Sequence, residues 1–221
     1  MLSLEEARVL AVLIEKEATV PDSYPLTLNA LRLGCNQTSN RAPVVAYEDR
    51  TVEQALLSLK SIGLARFVHP SHGGRTVRYR HTADERWRLE PNELAVLALL
   101  VLRGPQTASE VRARLERVLD GDGPTADEAL DTLAARSPEA FAVQLDRRPG
   151  ERERRWAHLL AGTPDETADA VTPDDVAATS TTPAAPDRLS RPGQGPAAQP
   201  VRRWPGKKSA APLPPPKSLE V

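Results

Sequence analysis

One order of segments is written twice in the first 162 residues, and this repetition limits the possible folds more than any other feature of the chain. Glu6 to Ile14 (EARVLAVLI) aligns with Glu93 to Val101 (ELAVLALLV), and Thr51 to Leu59 (TVEQALLSL) aligns with Thr125 to Leu133 (TADEALDTL). Arg78-Tyr79-Arg80-His81 matches Arg155-Trp156-Ala157-His158, and at the offset of the second match Phe67 falls on Phe141. The offset shrinks from 87 residues in the first match to about 75 later on, which places an insertion in the first copy. The spacing assigns it to residues 34–50, between the second and third helices.

The elements of each copy follow from periodicity and caps. Ser3 followed by Glu6 is a capping-box pattern, and Ala7, Leu10, Ala11, Ile14 and Ala18 recur at helical spacing, predicting a helix over 4–18. Pro25 suits a first helical turn, and the stripe Tyr24, Leu28, Leu31, Cys35 gives a second helix. Thr51 with Gln54 reads as another capping box, Val52, Ala55, Leu56, Leu59 and Ile62 share one face, and Gly63 supplies the stop. Residues 64–69 and 76–82 are rich in branched and aromatic side chains and flank Ser71-His72-Gly73-Gly74-Arg75, a hairpin signature. Three helices closed by a hairpin, twice, predict a mostly α chain with small β-hairpins (α+β). The expected architecture is two tandem winged helix-turn-helix domains, residues 1–83 and 84–162.

After Thr163 the composition changes. Twelve of the 21 prolines lie between Pro164 and Pro216, and Trp204 is the one aromatic residue there. Such a segment buries too little apolar surface to offset its ordering entropy, so residues 163–221 are expected to be a disordered tail. The first 163 residues carry 22 bases and 23 acids, and this neutrality gives no strong nucleic-acid signal. A single cysteine, Cys35, excludes an internal disulfide and suits a reducing compartment. The amino terminus lacks a signal-peptide pattern, and the longest apolar run, Leu94 to Leu102, is half of what a bilayer requires. These features predict a cytoplasmic protein with no membrane partner.

Several motifs are family-specific. Ile14-Glu15-Lys16-Glu17-Ala18-Thr19, Tyr24-Pro25-Leu26-Thr27-Leu28-Asn29-Ala30-Leu31, Cys35-Asn36-Gln37, Ser39-Asn40-Arg41 and Pro43-Val44 resemble the YceH-like (UPF0502-type) family of uncharacterised bacterial proteins. The resemblance extends over residues 3 to about 162, through Leu102-Arg103-Gly104-Pro105-Gln106-Thr107 and Trp156-Ala157-His158-Leu159. It implies paired winged-helix domains and a bacterial source, and brings no established activity. The family motif usually places an acidic residue before the proline, where this chain has Ala42.

The residues offer no catalytic constellation. His69, His72, His81 and His158 have neither a helical i, i+4 partner nor ligand-pair spacing, and Gly73-Gly74 lacks the strand and helix that flank a phosphate loop. The chain is therefore expected not to be an enzyme, to need no metal or cofactor, and to show no evident small-molecule ligand. Two readings remain. In one the protein binds duplex DNA as a transcription-regulator-like protein, with Gln54 and Lys60 on the third helix and Arg75, Arg78 and Arg80 on the hairpin as contacts. In the other it is a protein-interaction or scaffold module. Asn36, Gln37, Asn40 and Arg41 form the densest hydrogen-bonding stretch, placed either to touch nucleic acid or to fix a long crossover. The Leu94 to Leu102 helix is apolar all round, so it needs cover from the other domain or from a second copy; a homodimer through domain two is the expectation.

Overall fold

A computed structural model describes residues 1–70, 76–116 and 125–162. Residues 71–75, expected as the hairpin turn and including His72 and Arg75, and residues 163–221, expected as a tail, lie outside the described residues. The described chain is α+β, with seven α-helices and two small antiparallel sheets. The first half runs α1 (Leu4–Thr19), β1 (Leu26–Thr27), α2 (Leu28–Cys35), α3 (Asp49–Ser61), β2 (Ala65–Val68) and β3 (Arg78–His81). After the short α4 (Ala83–Trp87) come α5 (Pro91–Arg103), β4 (Gln106–Thr107), α6 (Ala108–Leu115), α7 (Ala126–Ala135), β5 (Ala142–Gln144) and β6 (Arg155–His158). In both sheets the last strand lies in the centre, in the orders β1-β3-β2 and β4-β6-β5.

The caps explain where helices begin, and they revise two expectations. Ser3 and Glu6 cap α1 reciprocally, with Glu6 N–H donating to Ser3 Oγ at 3.2 Å and Ser3 N–H donating to Glu6 Oε2 at 2.8 Å. Glu90 and Glu93 repeat that box on α5. The second helix does not start at Pro25. Thr27 accepts the Ala30 N–H and starts α2 at Leu28, while Leu26 and Thr27 pair with β3 as a short third strand. Nor does Thr51 cap the third helix. That helix begins at Asp49, where Arg32 on α2 meets the Asp49 carboxylate at 2.7 Å, so Thr51 lies inside its first turn. Its sequence match Thr125 is a true cap with a complete box to Glu128.

The repeat is real, but its register changes more often than one insertion allows. The offset of 87 between Glu6 and Glu93 becomes 80 between the caps Thr27 and Thr107 and 74 between buried Leu56 and Leu130. It returns to 77 at the strands, where Ala65 faces His81 and Ala142 faces His158. The first half is thus longer both between α1 and β1 and between α2 and α3. Phe141 corresponds to Leu64, not Phe67: each donates its N–H back to a helix, Leu64 to Leu59 and Phe141 to Leu133. The boundary expected after residue 83 falls inside α4.

One continuous apolar core joins the two halves. Leu10, Leu13 and Ile14 of α1 and Leu94, Leu97 and Leu100 of α5 are fully buried, and each contributes about 2 kcal/mol of apolar transfer. Helix α5 packs against α1 on one side and α7 on another, so its all-round apolarity is accounted for within the chain. Gly34 sets the approach of α2 to α1, since a Cβ there would lie 2.7 Å from Val12 Cγ1.

Candidate functional site

Two regions concentrate polar residues: the α2–α3 crossover and the outer face of α3 with its adjoining hairpin. In the crossover every strong polar contact is internal. The Arg41 side chain is completely buried; its Nη2 and Nη1 donate to the Glu15 carboxylate at 2.6 and 3.2 Å, and its Nε donates to Gly34 O at 3.0 Å. Burial pushes the Glu15 carboxyl up, but the Arg41 guanidinium and the Lys16 ammonium outweigh that and hold it below the ordinary carboxylate range. Asn36 makes a reciprocal pair with the Tyr47 backbone, both bonds 2.8 Å. Asn40 takes a left-handed backbone conformation (φ 61°) and accepts a hydrogen bond from Arg103 on α5. Gln37 is half-buried at the exit of α2.

Sequence reasoning missed Arg8. It is buried and donates to Cys35 O at 3.3 Å and Pro43 O at 2.8 Å, so it clamps the crossover from the α1 side. Burial lowers its pKa. A signal was present: Arg8 and Glu15 stand seven residues apart among the apolar positions of α1, two turns along one buried face. Beside them Cys35 is fully buried, and burial pushes its thiol up to about 12, which leaves it protonated and unreactive.

The face of α3 is open. Arg50, Glu53, Gln54, Leu57 and Lys60 are exposed, with Leu57 at 58%. The Lys60 ammonium lies 4.5 Å over the Phe67 ring, which meets Tyr79 edge-on at 4.9 Å. Leu56, Leu57, Phe67 and Tyr79, together with Glu53, line a shallow cleft of about 210 Å³.

The described hairpin arginines are partly engaged. Arg78 Nη1 donates to Pro25 O at 2.8 Å, and in the second half Arg155 Nη1 donates to Pro105 O at 3.2 Å, so this arginine latches the edge strand in both copies. Arg80 pairs with Glu85 at 3.1 Å. Arg66, beside it on the outer strand, keeps 62% of its side-chain surface.

The corresponding surface of the second half is acidic. On α7, Asp127 is held by Arg112 at 2.7 Å, Glu128 closes the cap and Asp131 is exposed. The equivalent histidines differ too. His81 is buried with Nε2 2.6 Å from a Glu17 oxygen, close but poorly aligned, and Nδ1 3.9 Å from Asp84. His158 has no carboxylate at that distance among the described residues, and burial lowers its pKa.

Residues 2–151, which carry the whole crossover and the α3 face, match the family described as protein of unknown function DUF480. The chain belongs to this family. Several relatives carry the name UPF0502 protein. One from Geobacter sulfurreducens is 48% identical over 76% of each chain, one from Geotalea daltonii is 49% identical over 78% of each, and one from Dechloromonas aromatica is 44% identical over 74% of this chain and 76% of that protein. Among the described residues of this DUF480 chain no group of three His, Cys, Asp or Glu side chains is placed to hold a metal ion. None of its described helices is long and apolar enough to cross a membrane.

Proposed function

We propose that each half is a winged helix-turn-helix unit and that the first half binds duplex DNA, in a transcription-regulator-like protein. The observation that carries this reading is the solvent face of α3. It presents Arg50, Gln54 and Lys60 beside Glu53, next to the paired strands β2 and β3, which expose Arg66 and Arg78 respectively. Gln54 has the paired donor and acceptor that suit an adenine edge, while the cations suit phosphates. Helix α7 offers acids at the same place, so the second half supports the first and does not itself read a groove.

Selection from random duplex DNA by the full chain, followed by salt titration, tests the proposal. An enriched motif is the expected outcome. Lys60→Ala and Arg66→Ala should then weaken binding to all sequences alike and reduce the salt slope by about one unit per lost phosphate contact. Gln54→Ala should relax preference at one position. No enrichment and no salt-dependent binding would favour the second reading, a protein-interaction surface. That alternative draws support from exposed Leu57 and the apolar cleft beside it.

A further inference from the structure

We infer, on the reading of α3 as the helix that enters duplex DNA, that Leu57 meets the C5-methyl group of a thymine and so sets the sequence preference at that base pair. Successive helix residues stand about 100° apart around the axis, which puts Leu57 at the centre of the outer face of α3. Gln54 and Ser61 flank it on one side, Glu53 and Lys60 on the other, and Arg50 lies two turns ahead on the same line; all five are exposed. When a helix lies in the major groove, the centre of such a face reaches the base edges, while its flanks and the neighbouring strands face phosphates.

The fold does not require an apolar side chain at this place. Leu57 keeps 58% of its surface, whereas its neighbour Leu56 is fully buried. In the second half buried Leu130 takes the place of Leu56, and the next residue, at the place of Leu57, is exposed Asp131. Among the groups that bases present in the major groove the thymine methyl is the apolar one; the others are donors and acceptors. A leucine set against a donor or acceptor would take its water away and give no partner in return. Against thymine it buries apolar surface on both sides. The cleft extends that surface, since Leu57 lines it with Leu56, Phe67 and Tyr79 on the strand side. Glu53 lines the same cleft, and its carboxylate repels a phosphate there, which leaves the backbone contacts to Lys60, Arg66 and Arg78. Gln54 lies three residues earlier, about 4.5 Å along the helix axis, so the thymine falls within about two base pairs of the adenine that Gln54 contacts.

The site that the full chain enriches from random duplex DNA supplies the probe. Each of its thymines is replaced in turn by deoxyuridine, which removes the methyl and keeps the base pair, and affinity is measured at one fixed salt concentration. One replacement, close to the position where Gln54→Ala relaxes preference, should weaken binding about three- to five-fold, the contribution of one buried methyl. Leu57→Ala should bind the thymine and deoxyuridine forms equally, while Gln54→Ala should still tell them apart. The first comparison alters only the DNA and is independent of how a variant folds; Leu57→Ala, at an exposed position, should keep the parent's thermal midpoint. An enriched site indifferent to all its thymine methyls, or a methyl effect that persists in Leu57→Ala, would overturn the contact and leave DNA binding intact. Absence of any enriched site would remove the DNA reading and this contact with it.

Discussion

The two halves run through the same elements in the same order, yet they settle the junction between their first two helices with different chemistry. The first half closes it with charge: Arg8 and Glu15 hold Arg41 and Pro43 of its own crossover in the groove. The second half leaves the corresponding space walled by Ala95 and Leu102, with a guanidinium at its edge. The outer helices diverge in parallel, α3 open and mixed in charge, α7 acidic. Both copies share the caps of their first two helices, the central strand and the arginine latch to a proline carbonyl. The grooves and the outer faces of α3 and α7 differ between the copies.

The sharpest way to break this comparison is at the buried ion pair. Glu15→Ala strands a completely buried guanidinium and should cost about 3 kcal/mol at neutral pH, read by urea unfolding. Because the folded pKa of Glu15 lies below its ordinary value of 4.5, the stabilisation is complete above that pH and is lost as pH falls through the lowered value. Parent and variant should therefore converge in acid. Parallel curves would show that the pair does not anchor the crossover.

A smaller difference is expected from packing at equivalent helix positions. Gly34→Ala forces a methyl to within 2.7 Å of Val12 and should cost about 1–3 kcal/mol, while Arg114→Ala, at the open counterpart, should stay within about 0.5 kcal/mol. Equal midpoints for the two variants would mean that the grooves are alike. The caps separate more finely. Thr125→Ala should lose about 1 kcal/mol, and Thr51→Ala, within the first turn of α3, no more than a few tenths. The histidines give the smallest effect. His158 has a lowered folded pKa, so the unfolded chain binds its proton first and stability should decline as pH drops below about 6.5. His158→Gln should flatten that part of the pH profile; an unchanged slope would assign it to other groups.

The sequence disclosed the order of elements because hydrophobic periodicity and reciprocal caps are local, and both survive in Ser3 with Glu6 and in Thr125 with Glu128. It misplaced the start of α3, because Thr51 and Gln54 fit a box pattern that a tertiary contact, Arg32 to Asp49, overrides by extending the helix backward. It also left Asn36, Asn40 and Arg41 undecided between binding and structure. Only the placement of Glu15 and Tyr47 assigns their hydrogen bonds. The groove between α5 and α6 was invisible for a related reason. Ala95, Leu102 and Arg114 look unremarkable singly and acquire meaning when superposed on Arg8, Glu15 and Gly34.

The packing of α1 against α5 places equivalent helices of the two copies face to face. Each half thereby covers an apolar helix face that the other would leave open. A fragment ending after α4 would uncover the buried face of α1 and should sediment as a dimer.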